Sequence, residues 1–313
     1  MSRSMRIALA AAASSGLYTA AVALAPLTTP LVMLVPLPAL ILATQEPAAM
    51  CGLWLALSTA AVGVTLGVPA AFGFLLPLAL PSLAVAVAIR RFWTFERTAL
   101  VGITAWSLGV AIVSLAAFGN VEALVAAARE QLTHSFDLAL STSGSIGASA
   151  DALAAVEAER DVFVSGLLEL LPAVVVLTGA LTIIANLVLL RGWTGVSRNV
   201  NLRLWRTPDA LIWVLIGAGF GMFAPANGAA IAARNIFVVL LGCYFCQGLA
   251  IVSYYLDRFR LPRGIQIAGY LLIAVQHVVA AMVLALGVFD LWGNFRRLGV
   301  DGPADIPLNS DGD

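Results

Sequence analysis

Nine times between its first arginine and its last, this chain runs for about twenty residues with scarcely a charge, the length an α-helix needs to cross the hydrocarbon of a bilayer. The stretches cover residues 6–26, 28–44, 48–67, 69–89, 98–118, 162–190, 209–225, 229–255 and 265–290. With 61% hydrophobic residues, 11% charged residues and a mean hydropathy of +0.98, the composition lies far outside that of soluble domains. The fold expected is all-α: a polytopic membrane helix bundle of about nine transmembrane helices with an amphipathic helical external loop.

The second stretch carries Pro26, Pro30, Pro36 and Pro38, so it spans with a kink or re-enters. Proline removes a helix donor, and a freed carbonyl is tolerated at membrane depth only where neighbours satisfy it. The opening MSRSMR followed by an alanine-rich run has the look of a signal peptide, but eight similar runs downstream favour an uncleaved first helix.

Formal net charge is zero, which gives nucleic acid no bulk attraction, and none is expected as a partner. The placement of charge carries more than its sum. Short cytoplasmic loops collect the Lys/Arg excess, and the arginines cluster at 3 and 6, at 90, 91 and 97, at 191, 198, 203 and 206, and at 258, 260 and 263. A nine-span model that begins inside puts all four clusters in the cytoplasm of a bacterial inner membrane protein, but leaves Arg296 and Arg297 outside. The domain reading is a six-span region over 1–190, a basic cytoplasmic loop over 191–208, a three-span region over 209–298 and a polar, disordered tail over 299–313.

Residues 119–161 form the one long external loop. Val121, Leu124, Val125, Leu132, Phe136 and Leu140 recur at helical spacing, which predicts an amphipathic helix on the membrane surface, followed by a flexible break at STSGSIGASA. Acidic residues outnumber Arg129 and Arg160 there, as suits an outer face. Such a loop either covers an external cavity or merely seals the bundle. The inner loop interleaves Arg198, Arg203 and Arg206 with Trp205, a mixture suited to anionic headgroups and the aromatic belt of a lipid bilayer, or to a partner.

GCYFCQG at 242–248 has the Cys-x-x-Cys spacing of redox dithiols and half zinc sites. At the middle of the eighth stretch, hydrocarbon disfavours the thiolate that redox chemistry and metal binding require. His277, at the middle of the ninth, would complete a three-ligand set with Cys243 and Cys246, but no fourth strong ligand is evident. The alternative is a packing face: at 100° per residue Asn235, Gly242, Cys246 and Ser253 share a strip, with Cys243 and Gln247 beside it. No metal or other cofactor is expected.

Polar groups inside apolar runs are costly and point to partners or cavities. Glu169 is the acidic residue that falls well inside a run, just before Pro172; it reads as a substrate or cation ligand, or as a structural carboxyl with Arg234 as partner. GAGFG at 217–221 lacks the spacing and context of a nucleotide loop, and its Gly217 and Gly221 read as a helix-contact pair. No catalytic motif is found, and the chain is not expected to be an enzyme.

LWRTPDALIWVLI at 204–216, ARNIFVVLLGCYFCQGLAIVSYYLDR at 233–258 and LGVFDLWGNFRR at 286–297 together resemble the YybS-like family of predicted membrane proteins, whose function is not established. Pro208, Asn235, Gln247, Gly248, Asp290 and Arg296 match its recurrent polar and turn positions; cysteines are not expected from it. The first six stretches are similar to the substrate-capture (S) components of energy-coupling-factor transporters, and MreD-like cell-shape scaffolds are comparably similar. One reading is a small-molecule capture or transport protein with an outward cavity lined by Glu169, Asn235 and Gln247, for which the capture resemblance implies a coupling ATPase as partner. The scaffold resemblance implies envelope-protein partners recruited through the arginine loop, and a metal or thiol enzyme is the third reading.

Overall fold

The computed structural model describes residues 2–24, 28–145, 147, 149–194, 205–225, 228–293 and 295–296. All regular structure among them is helical. The chain divides into two compact units, Met1–Val200 and Asn201–Asp313.

The first unit opens with α1 (Arg3–Ala23), whose cap Ser2 accepts a bond from Met5 N. The second apolar stretch breaks into α2 (Thr28–Leu34) and α3 (Leu37–Gln45), because Pro36 and Pro38 bring no N–H to the ladder. Two carbonyls of the broken turn are met by side chains from other helices. Ser14 Oγ of α1 donates to Val35 O at 3.0 Å, and Asn186 Nδ2 of α11 (Leu171–Thr194) donates to Met33 O at 2.6 Å. The proline break is thus buried in protein, the condition under which irregular backbone survives in lipid.

After α4 (Ala48–Leu66) and a turn through Gly67 at φ 91, α5 (Val68–Phe74) and α6 (Leu80–Arg90) form one path through a π-helical turn at Leu75–Ala79 containing Pro77. The helix α7 (Phe95–Phe118) crosses this turn at Gly109, where a side chain would strike the Leu76 carbonyl. Trp54, Val62, Phe74, Leu78 and Trp106 fill the core between these helices. The indole of Trp54 donates to Ala10 O at 3.2 Å, so its polar end is satisfied inside the packing.

The segment after α7 is a helical hairpin. α8 (Val121–Ser145) continues through STSGS, where a flexible break was expected, and the chain turns at Gly147 with φ 98. α9 (Ala150–Ala158) and α10 (Arg160–Glu169) follow. Arg160 pairs with Asp137 at 3.2 Å and Phe136 meets Phe163 at a centroid distance of 5.7 Å, holding α10 on α8. No residue of α8 is buried.

In the second unit, α12 (Leu211–Gly221) packs antiparallel on α13 (Gly228–Arg258): Ile212 and Leu215 meet Leu240 and Tyr244, and Gly221 meets Ala233. The ninth apolar stretch is not one straight helix. α14 (Arg263–Val275) and α15 (His277–Gly293) turn through 101° at Gln276, whose backbone is extended. α15 runs parallel to α13. Its Gly287 lies against Tyr244 and Gly248, its Asp290 is reached from Gln247, and Phe295 beyond its end is bonded by Tyr255. Both ends of the α14–α15 pair therefore lie at the Arg258 end of α13, which makes the pair re-entrant.

Six helices among the described residues are long and apolar enough to cross a membrane, or seven if the bent pair is counted as one span. All nine apolar stretches are helical, but the second is broken and Leu211–Gly221 is short. The expectation that Arg296 sits opposite Arg258 is also corrected, since the re-entrant pair returns it to the same end of α13.

Candidate functional site

The polar residues of the second unit converge on one buried point. Gln247 is 1% exposed and both ends of its amide are engaged: Oε1 accepts from Thr207 N at 2.9 Å, and Nε2 donates to Asp290 Oδ2 at 3.0 Å. Asp290, 2% exposed, accepts from Arg296 Nη2 at 2.8 Å on the same oxygen and from Phe295 N at 3.0 Å on the other. Arg296 Nη1 then donates to Trp205 O at 2.9 Å. A buried ion pair has to overcome the desolvation of both charges, and it does so where further hydrogen bonds satisfy the remaining lone pairs and protons. Gln247 and the Phe295 and Trp205 backbones supply three such bonds here.

Local sequence explains the convergence. Gly248 and Gly287 let α13 and α15 touch backbone to backbone; a side chain at Gly248 would strike Val283 O and one at Gly287 would strike Tyr244 O. That approach brings the Gln247 side chain to Asp290. Pro208 breaks helix propagation into 205–207, which leaves the Thr207 N–H free for Gln247. Arg206 adds an ion pair with Asp209 at 3.2 Å and a bond to Leu291 O at 3.5 Å.

The other expected residues are not gathered there. Asn235 donates to Ile231 O within its own helix at 2.9 Å. Glu169 closes α10, two residues before α11 begins at Leu171. Cys243 and Cys246 are half-buried free thiols. His277 is exposed and opens α15 at the bend, not at the middle of a straight span. Among the described residues no group of three or more His, Cys, Asp or Glu comes together. The buried face of α13 runs through Leu240, Tyr244, Gln247, Gly248 and Ile251, rotated from the expected Asn235–Cys246 strip. Gly217 faces nothing, and Gly221 alone of its pair makes a helix contact. Arg198 and Arg203 lie outside the described residues, whereas the Trp205 carbonyl and Arg206 belong to the knot.

A second buried charge centre, in the first unit, was not anticipated. Glu46, just beyond α3 and 1% exposed, accepts from Arg6 Nε at 2.8 Å and from Arg6 Nη2, and pairs with Arg3 Nε at 2.9 Å. Arg90 at the end of α6 donates to Ala43 O and Glu46 O. The hydrogen bond from Arg6 holds the Glu46 carboxyl below the ordinary value, against the opposing effect of burial, and the charges of Arg6 and Arg3 add to it. Arg3, Arg6 and Arg90 thus share one end of this unit, as their clustering in the sequence implied. The sequence signal for Glu46 is its place as the one acid between the second and third apolar stretches.

Apolar helices of membrane-crossing length, with their few buried charges paired inside each unit, define a polytopic helical membrane protein. The chain belongs to the family described as Predicted membrane protein (DUF2232), whose model matches residues 12–291. No curated protein and no solved structure matches it. Membership of a predicted membrane protein family agrees with the sequence reading, and no match supports the likeness of the first six stretches to transporter capture components.

Proposed function

We propose that this protein is a non-enzymatic scaffold of the bacterial cytoplasmic membrane, N-terminus inside, which recruits an envelope-protein partner through the arginine-rich segment between α11 and α12. The observation that carries this reading is the burial of Gln247, 1% exposed, with its amide oxygen taken by Thr207 N and its nitrogen given to Asp290, so that this side chain ties elements of the protein together. The same bonds anchor the downstream end of the arginine-rich segment, since Thr207, Trp205 and Arg206 are each fastened to α13, α15 or the turn after it. A fixed anchor makes a basic segment a better docking element, because less chain entropy is lost on binding. The test is affinity capture from detergent with wild type and with Arg198→Gln/Arg203→Gln, which spares Arg206. Loss of partners with unchanged elution and thermal stability supports the scaffold; an unchanged partner set overturns it.

A capture role is favoured by a separate observation in the first unit. Asn186 and Thr182 are both fully buried, and Asn186 Oδ1 and Thr182 Oγ1 have no hydrogen-bond partner. The Asn186 amide cannot be turned over, because its nitrogen faces two acceptors, Met33 O and Thr182 O. Such atoms call for a small polar molecule or water. Mass spectrometry of small molecules retained by wild type and by Asn186→Leu tests this reading: a molecule lost only from the variant supports it, and identical spectra remove it.

A further inference from the structure

We propose that the end of α13 carries a dedicated site for one phospholipid with an anionic headgroup, a binding role that goes beyond recruitment of a protein partner. An open groove of about 300 Å³ runs along the last turns of this helix, walled by Ile251, Tyr255, Phe259, Leu286 and Phe295, with almost no polar surface. Its wall is built, not incidental. Tyr255 stacks on Phe259 at 5.9 Å, and its hydroxyl donates to Phe295 O at 2.7 Å, fixing one rim to the other. The groove residues of α13 lead directly into Arg258, Arg260 and Arg263, all exposed, with Asp257 the one acid among them. Arg258 Nη1 is held 3.3 Å from the Tyr254 hydroxyl, and the Tyr254 ring packs edge-on against Tyr255 at 5.4 Å. The first guanidinium is therefore joined to the groove wall through two rings. Arg260 sits at φ 51, in the left-handed region that a side chain rarely adopts, so the turn that follows α13 and carries the second arginine is tight.

An acyl chain and a phosphate joined in one molecule match this order of apolar groove, then cationic turn. A zwitterionic lipid matches only the first half. Each arginine adds attraction for an anionic headgroup, so removing two is expected to weaken retention about tenfold or more, and raised salt weakens it too.

The experiment is native mass spectrometry of the full chain, delipidated in detergent and titrated with phosphatidylglycerol or phosphatidylcholine. Variants are Arg258→Gln/Arg260→Gln for the headgroup end and Leu286→Trp for the groove, each checked for an unchanged elution profile and melting temperature. Retention of one phosphatidylglycerol, about tenfold over phosphatidylcholine and reduced by both variants, supports the site. Equal retention of the two lipids overturns it, as does loss with the arginine variant alone, which would mean a charged surface without a groove. If Leu286→Trp fails to fold, Val252→Phe on the facing wall takes its place with the same two outcomes.

Discussion

Gln247 of α13 donates to Asp290 of α15 at 3.0 Å, and the oxygen that accepts it also holds Arg296 at 2.8 Å. One carboxylate thereby joins two parallel helices and the turn beyond them. Removing either partner leaves a buried polar group without its bond, which costs more than the bond itself contributes.

Asp290→Ala is expected to destabilise the second unit by about 3–5 kcal/mol, because Arg296 is left charged and buried. Gln247→Leu, which strands Thr207 N and one bond to Asp290, is expected to cost about 1–3 kcal/mol. The double variant Asp290→Asn/Arg296→Gln should lose less than the two single changes added together. Thermal unfolding in detergent of these variants and of the single changes Asp290→Asn and Arg296→Gln measures the losses, and additive losses in the double variant would mean that the pair is not coupled.

Gly287→Ala is expected to separate α13 from α15, since the new methyl would occupy the place of the Tyr244 carbonyl. Backbone has to give way, at about 1–3 kcal/mol. Gly217→Ala is the internal control: nothing lies within reach of its methyl, and alanine is the better helix former by about 1 kcal/mol. Opposite signs in the melting temperatures of the two variants would bear out the assigned faces, and equal losses would not.

The helices were legible because lipid imposes one demand, an apolar run of sufficient length, and the sequence displays it nine times. Prolines 36 and 38 announced the break between α2 and α3. Nothing comparable marks Gln276, where neither proline nor glycine occurs, and the 101° turn was read as a straight span. The bend accounts for Arg296 lying at the Arg258 end of α13 and for His277 opening a helix instead of sitting at its middle. The site was legible in part: of the residues picked out by family resemblance, Gln247, Gly248, Asp290 and Arg296 meet in space, while Asn235 turns back to its own helix. Which glycine pair forms the close contact depends on the pairing of two helices, and no local pattern encodes that.

Acid should loosen the first unit through Glu46. Its carboxyl is held below the ordinary value of 4.5 by the hydrogen bond from Arg6 first, with the charges of Arg6 and Arg3 adding to it. A group whose folded value is depressed contributes stability that is complete above its unfolded value and declines as pH falls through the folded one. Melting temperature should therefore be flat above the ordinary carboxylate range and fall below it, more steeply in wild type than in Glu46→Gln. The variant should melt lower at neutral pH and converge with wild type in acid; parallel curves at every pH would assign the acid response to other groups.

The re-entrant path of α14 and α15 has a consequence that distinguishes it from a simple crossing. Tyr255 bonds Phe295 at 2.7 Å, so the chain leaves α13 and returns from α15 at one end of the helix. In a background with Cys51, Cys243 and Cys246 replaced by serine, single cysteines at Arg260 and at Ser310 should react with a membrane-impermeant maleimide from one and the same side. A nine-span alternation requires the two to react from opposite sides. Labelling intact cells and then inverted vesicles separates the two threadings directly, because each variant is reactive in one preparation and protected in the other. The serine substitutions are expected to leave the fold intact, since all three cysteines are free thiols and serine is close to cysteine in size. Reaction of Arg260→Cys and Ser310→Cys in different preparations would place a full crossing between them and remove the parallel packing of α13 and α15.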